Sequence, residues 1–296
     1  MSRSEAVVAG ARDGLSASVR GALWMVGALL SFSAMAVAVR ELLSALDSLE
    51  ILFLRSVVSF VLVLAVLPRL GVQSLHTRIL RLHVGRNLLH LLGQYSWIYA
   101  IALLPLATVF AIEFTMPVWT AILAALLLGE RLTRHRVVML VLGLVGVGII
   151  LKPGIATIAP ASLVMLGGAF IYACSLIATK RITRNDSTFA VLFYMQAIQL
   201  PIAFVLAWPV WVTPEAGDLP WIVAMGACGL VAHFCMTRAL RIADATVVAP
   251  IDFLRLPLIA AVGTAFYGEP LDWTVFLGAA VIFTGTYYSI RRETKG

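Results

Sequence analysis

The sequence predicts an all-α integral membrane protein with ten transmembrane helices in two inverted five-helix repeats. Three observations lead there: an apolar composition, apolar runs of spanning length, and a polar motif that occurs twice. Of 296 residues, 61% are hydrophobic and only 12% charged, and the mean hydropathy is +0.98. A soluble domain carries about 25% charged side chains. With half of that, the chain cannot cover a water-facing surface of its size, which excludes a soluble enzyme and a disordered protein.

A spanning helix needs about 20 apolar residues. Charge gaps and hydropathy place ten of them at 21–39, 49–67, 84–104, 106–128, 137–151, 161–179, 188–208, 220–238, 245–267 and 272–290. The fifth is short unless its flanking Arg136 and Lys152 snorkel outward. The runs are continuous rather than alternating, so a transmembrane barrel is excluded. The first run is too long for the core of a cleaved signal peptide, and nine more follow it. Residues 1–19 are small and polar and read as a flexible tail, as do residues 291–296.

Lys and Arg alternate sharply between the connections. The N-terminal tail and every second loop hold 18 of the 22; the opposite loops hold only Arg40 and Lys152, beside the acids Asp47, Glu215, Asp218, Glu269 and Asp272. The positive-inside rule makes the basic face cytoplasmic and puts both termini there. The net charge of +7 and pI near 9.7 therefore report topology, not nucleic-acid binding.

The chain is written twice. Ala102–Glu130 and Ala239–Glu269 share, in order, Ala-Thr-Val (107–109 and 245–247), Ile-acid-Phe (112–114 and 251–253), a proline (Pro117 and Pro257) and Gly-Glu (129–130 and 268–269). Composition alone does not set rare acids and prolines in matching order. The units run 20–152 and 153–290. Each has five spans, so the second enters the membrane upside down, the usual architecture of alternating-access carriers with a site near midplane. Ala107-Thr108-Val109, Pro117, Gly129-Glu130 and their second-half equivalents resemble the EamA-type branch of the drug/metabolite transporter superfamily. The resemblance covers about residues 20–290. It implies ten spans, two five-helix repeats, cytoplasmic termini and transport of small metabolites or drugs, with members that export amino acids and others that take up S-adenosylmethionine or riboflavin; the chain itself reads as an inner-membrane protein.

Ionised groups in the bilayer cost roughly 2.5–3.5 kcal/mol each on insertion scales, so Arg55, Glu113, Asp252 and Arg255 need a reason to be there. Their charges cancel. Arg55 and Glu113 lie at similar depth in parallel spans and can pair; Asp252 and Arg255 are three apart and share a helix face. Pro117, Pro250 and Pro257 stand beside the acids, breaking the helices and freeing carbonyls. Two readings stand: these charges line a water-accessible cavity, or they lock one repeat to the other. Arg55 and Arg255 can meet a carboxylate or phosphate, Glu113 and Asp252 an amine or a coupling proton. Tyr95, Trp97, Tyr99 and Tyr172 are aromatic wall candidates for an apolar or ring moiety. His90 and His233, at roughly matching positions, are either proton shuttles or interhelical hydrogen bonders. Glycines in the fifth and tenth spans mark scaffold, and Glu130 and Glu269 anchor the loops that follow them.

No Walker loop, paired-Cys or HExxH motif and no Gly-x-Ser-x-Gly elbow occurs, so no enzyme, cofactor or metal is expected. The partners expected are a small-molecule substrate, a coupling proton or exchanged solute, and the lipid bilayer, with the protein a monomer or homodimer. The function read from the sequence is secondary transport of an amino-acid-like or other zwitterionic metabolite. The alternatives are efflux of drugs or organic cations, and uptake of a nucleoside-like or vitamin metabolite.

Overall fold

A computed structural model describes residues 17–128, 133–152, 158–243 and 251–293. It is all-helical among those residues. In chain order the helices are α1 (Ala17–Leu42), α2 (Ser48–Leu70), α3 (Leu80–Leu103), α4 (Leu106–Glu113), α5 (Met116–Leu128), α6 (Arg134–Leu151), α7 (Pro160–Ile182), α8 (Thr188–Ala207), α9 (Leu219–Ile242), α10 (Arg255–Tyr267) and α11 (Trp273–Glu293). Eight segments are long and apolar enough to cross a membrane, α4 and α5 together forming one of them. The two other expected spans, the third and ninth, differ for physical reasons. α3 has the length but carries Arg81, His83, Arg86, Asn87, His90 and Gln94, and α10 has only 13 residues.

Local sequence explains the ends. Asp47, Thr133 and Ser187 cap α2, α6 and α8 by accepting N–H groups of the first turn. α4 stops at Phe114–Thr115 and α5 restarts with Pro117 second; α10 starts at Arg255 with Pro257 third. Proline lacks an N–H but suits the first turn of a helix, so it restarts the chain rather than merely kinking it. Pro250 and Glu130 lie outside the described residues, as do residues 1–16 and 294–296 of the two tails.

The packing pairs helices from the two halves. α1 packs against α9 and α3 against α7; α2 packs against α8, α6 against α11, and α4 against α10. The α6–α11 seam is tight because both helices place glycine at the crossing. A Cβ on Gly146 would stand 2.6 Å from the Gly278 oxygen, and a Cβ on Gly278 would stand 2.6 Å from the Gly146 oxygen.

Side chains tie the loops into two ends. On the acid-rich end, Glu269 accepts from Arg40 and from the Leu106 N–H at 2.8 Å. Arg40 also donates to the carbonyls of Ile101 and Leu104, which closes the end of α1 onto the α3–α4 connection. Lys152, a left-handed residue (φ 48°) ending α6, reaches Asp272 at 2.6 Å. On the basic end, His83 meets Asp186 at 2.7 Å, and Ser187 and Tyr194 donate to the carbonyls of Ser74 and Leu75.

Candidate functional site

The breaks in the two motif-bearing helices meet. Phe114, at the α4–α5 break, stacks on Phe253 with ring centroids 4.2 Å apart and planes within 18°. These are the aromatic members of the two Ile-acid-Phe triplets, so the duplicated motif abuts itself in space. Beside the stack, Arg255 lies 3.5 Å from Glu113 and 3.7 Å from Asp252. The Arg255 side chain is only 5% exposed, and its guanidinium sits over the rings of Phe32, Phe110 and Phe114 at 4.8, 4.9 and 5.2 Å. Glu113 and Asp252 are 20% and 26% exposed, so the two acids open into accessible space while the cation between them does not. Trp97 donates its indole N–H to the second oxygen of Glu113 at 2.9 Å and fixes that carboxylate's orientation.

The expected pairing of Arg55 with Glu113 does not occur. Arg255 reaches Glu113 across the two halves, and Arg55 donates instead to Gln94 Oε1. Equal depth in parallel helices allowed the first pair, but α3 stands beside α2 and supplies Gln94. The Asp252–Arg255 pair forms as its spacing suggested.

A second polar group lies on α3, α7, α8 and α9. The His90 and His233 rings are 6.2 Å apart. Gln199 donates to His90 Nδ1 at 3.2 Å, Tyr172 packs edge-on to His90 at 5.6 Å, and Phe32 meets His233 at 5.3 Å. Phe32 therefore touches both this group and Arg255. Tyr95 and Tyr99 form a tilted pair at 6.1 Å on the half-buried side of α3, without an ion pair or hydrogen bond to the charged cluster. Their hydroxyls remain wall candidates.

Sequence reasoning counted Arg86 with the basic residues of the connection ahead of the third span. In the structure it is buried within α3, donating to Thr179 at 2.9 Å and to Asn87 at 2.6 Å. Starting α3 at Leu80 rather than at residue 84 places it a turn and a half deep. The signal was the polar run Arg86, Asn87, His90, Gln94, whose spacing keeps one helix face polar.

The profile of the EamA-like transporter family matches residues 19–152 and, a second time, residues 159–291. The chain belongs to that family. Members similar to it over nearly their whole length differ in what they carry. The S-adenosylmethionine uptake transporter of Rickettsia prowazekii (strain Madrid E) is 29% identical, covering 96% of each chain. The riboflavin transporter of Vibrio cholerae serotype O1 is 31% identical over 94% of this chain and 95% of its own. The pseudopaline exporter CntI of Pseudomonas aeruginosa (strain UCBPP-PA14) is 28% identical over 93% and 97%. A solved crystal structure at 20% identity shares the fold, with a TM-score of 0.65 over 92% of this chain and 98% of that one. Family and relatives together make this a multi-pass membrane transporter, not an enzyme, that handles small molecules.

Proposed function

We propose that the chain is a secondary carrier of a small organic metabolite, working by alternating access between two antiparallel five-helix units, residues 20–152 and 153–290. The observation that carries this reading is the Glu113–Arg255–Asp252 cluster at the junction of two broken helices. It joins the halves through Arg255, which serves one acid from each, and its acids are partly open. Such sites at helix breaks are the pattern of inverted-repeat carriers.

The packing supports the antiparallel arrangement. Shifting the span number by five exchanges the α1–α9 pair with the α3–α7 pair and maps the α2–α8, α4–α10 and α6–α11 pairs onto themselves. The repeated family match has the same period. The uneven distribution of Lys and Arg supports a basic cytoplasmic face with both termini on it, in the inner membrane. Ten passes follow when the polar α3 and the broken segment ending in α10 are counted as crossings. Each is shielded from lipid by the neighbours that bury its polar side.

In this reading Glu113 and Asp252 receive a substrate amine or a coupling proton, and Trp97 holds Glu113 in place. Uptake and export run on one architecture, as the differently named relatives suggest. The test is entrance counterflow in proteoliposomes holding the purified chain, with S-adenosylmethionine and then riboflavin as probes, followed by solutes that raise its melting temperature. A carrier preloaded with unlabelled solute transiently concentrates the labelled form. Flux that neither saturates nor counterflows would reject the carrier in favour of a channel.

A further inference from the structure

The described interior holds more positive than negative charge. Arg55, Arg86 and Arg255 lie within it, and only Glu113 and Asp252 face them. Glu50 is also buried, but at the first turn of α2, where it accepts the Val212 N–H of the α8–α9 connection. Asp186 is engaged by His83 at the basic end. Arg255 has both acids and three aromatic rings, and Arg86 has Thr179 and Asn87.

Arg55, like Arg86, has no acid beside it. Among the described residues its one hydrogen bond goes to a neutral amide, Gln94, and its Nε has no partner, although the residue is only 6% exposed. An ionised group buried without a counter-charge is costly. A guanidinium cannot escape by losing its proton, because it stays charged in proteins. A buried guanidinium with no acid beside it can take its counter-ion from outside. The surroundings agree. Tyr172, His90 and His233 all lie within electrostatic reach of both Arg55 and Arg86. Tyr172 rests on Gly93 of α3, where a Cβ would come 3.0 Å from its ring and push it back by a few tenths of an ångström. The rigid planar fork of arginine matches a carboxylate with two parallel N–H bonds.

We propose that Arg55, with Gln94 beside it, is the anchor for a substrate carboxylate, and that the transported solute is a carboxylate-bearing small molecule rather than an uncharged ring system. This assignment rests on the carrier reading and narrows it. Arg255 is excluded from the role because it is already neutralised. With a carboxylate on Arg55, the interior holds three cations and three anions. An amine on the same solute turns toward Glu113 or Asp252, which makes an amino-acid head group the best-matched chemistry.

The experiment is a melting-temperature series on the full-length protein in nanodiscs. The probes are matched pairs, S-adenosylmethionine, L-methionine and L-phenylalanine each beside its carboxamide, together with riboflavin. The expected result is stabilisation by at least one acid and an affinity at least tenfold weaker for its amide. Arg55→Gln removes that discrimination, and Arg55→Lys, which keeps charge without the fork, restores part of it. The acid-to-amide ratio on the unmodified protein needs no variant, so a variant that fails to fold leaves the test intact. Amides that bind as well as acids, stabilisation by riboflavin alone, or no acid that stabilises would each overturn the proposal. Counterflow separates it from the carrier reading. A protein that discriminates acid from amide but shows no counterflow keeps the Arg55 site and loses the carrier. One that counterflows an uncharged solute keeps the carrier and loses the site.

Discussion

Glu269→Gln tests whether the charges on the acid-rich end form a closure that must break during transport. Glu269 sits in the α10–α11 connection, with its side chain 12% exposed, and accepts from Arg40 and the Leu106 N–H. Arg40 holds the end of α3 through Ile101 and Leu104, so one carboxylate ties the second half to three helix ends of the first. Glutamine keeps the shape and an acceptor but loses the charge. A hydrogen bond to a charged group contributes about 1.5–3 kcal/mol and a neutral one about 0.5–1.5. Two bonds weakened by roughly 1 kcal/mol each give about 2 kcal/mol. If the bonds exist only while this end is closed, the population open at this end rises by about 30-fold, since 1.4 kcal/mol is tenfold. Hydrogen exchange reads this directly because the Leu106 amide is one of the bonds. The peptide across the α3–α4 connection, residues 102–108, is expected to exchange roughly 30-fold faster, with the α6–α11 seam unchanged as internal control. A lower melting temperature with unchanged exchange in that peptide would refute the reasoning and leave Glu269 a fixed anchor.

Other outcomes follow from the same geometry. Glu113→Gln keeps an acceptor for Trp97 and leaves Arg255 with Asp252 alone. Transport is expected to fall at least tenfold with normal amounts of folded protein in the membrane, and normal transport would remove this acid from the mechanism. Gly146→Val drives a side chain into the Gly278 oxygen and Ile282; overpacking of this kind costs about 1–3 kcal/mol, so the melting temperature drops, and an unchanged value would mean the seam is loose. The hydrogen bonds from Lys152 and Thr274 hold the Asp272 carboxyl below its ordinary 3.8. A lowered carboxyl stabilises the folded state above that ordinary value and loses its effect as pH falls through the folded one. The stability difference between the protein and Asp272→Asn is therefore flat from pH 8 to about 5 and shrinks only below about 4. A difference that changes near neutrality would contradict the pairing.

Much of this was legible in the sequence because it depends on one dimension. Apolar run length gave the helices, Pro117 and Pro257 marked where helices restart, and a spacing of three put Asp252 against Arg255. The partners that cross between helices were not legible. Nothing in spacing tells Arg55 that Gln94, not Glu113, stands beside it, and nothing tells Glu113 that its cation comes from the other half. Arg86 stands at the very start of the expected third span among basic neighbours, and its burial depends on Thr179 and Asn87 meeting it. The contact of Phe114 with Phe253 was latent in the repeated triplet, since each Phe closes an Ile-acid-Phe run at a helix break.

The central claim is that equivalent parts of the two units lie on opposite sides of the membrane. Gln73 in the α2–α3 connection and Thr213 in the α8–α9 connection occupy matching places in the repeat, and both are exposed. With Cys174, Cys228 and Cys235 replaced, single cysteines at these two positions can be labelled by a membrane-impermeant thiol reagent in right-side-out and inverted vesicles. The account predicts that Gln73→Cys reacts only from the basic, cytoplasmic side and Thr213→Cys only from the other. Reaction of both from one side would contradict it.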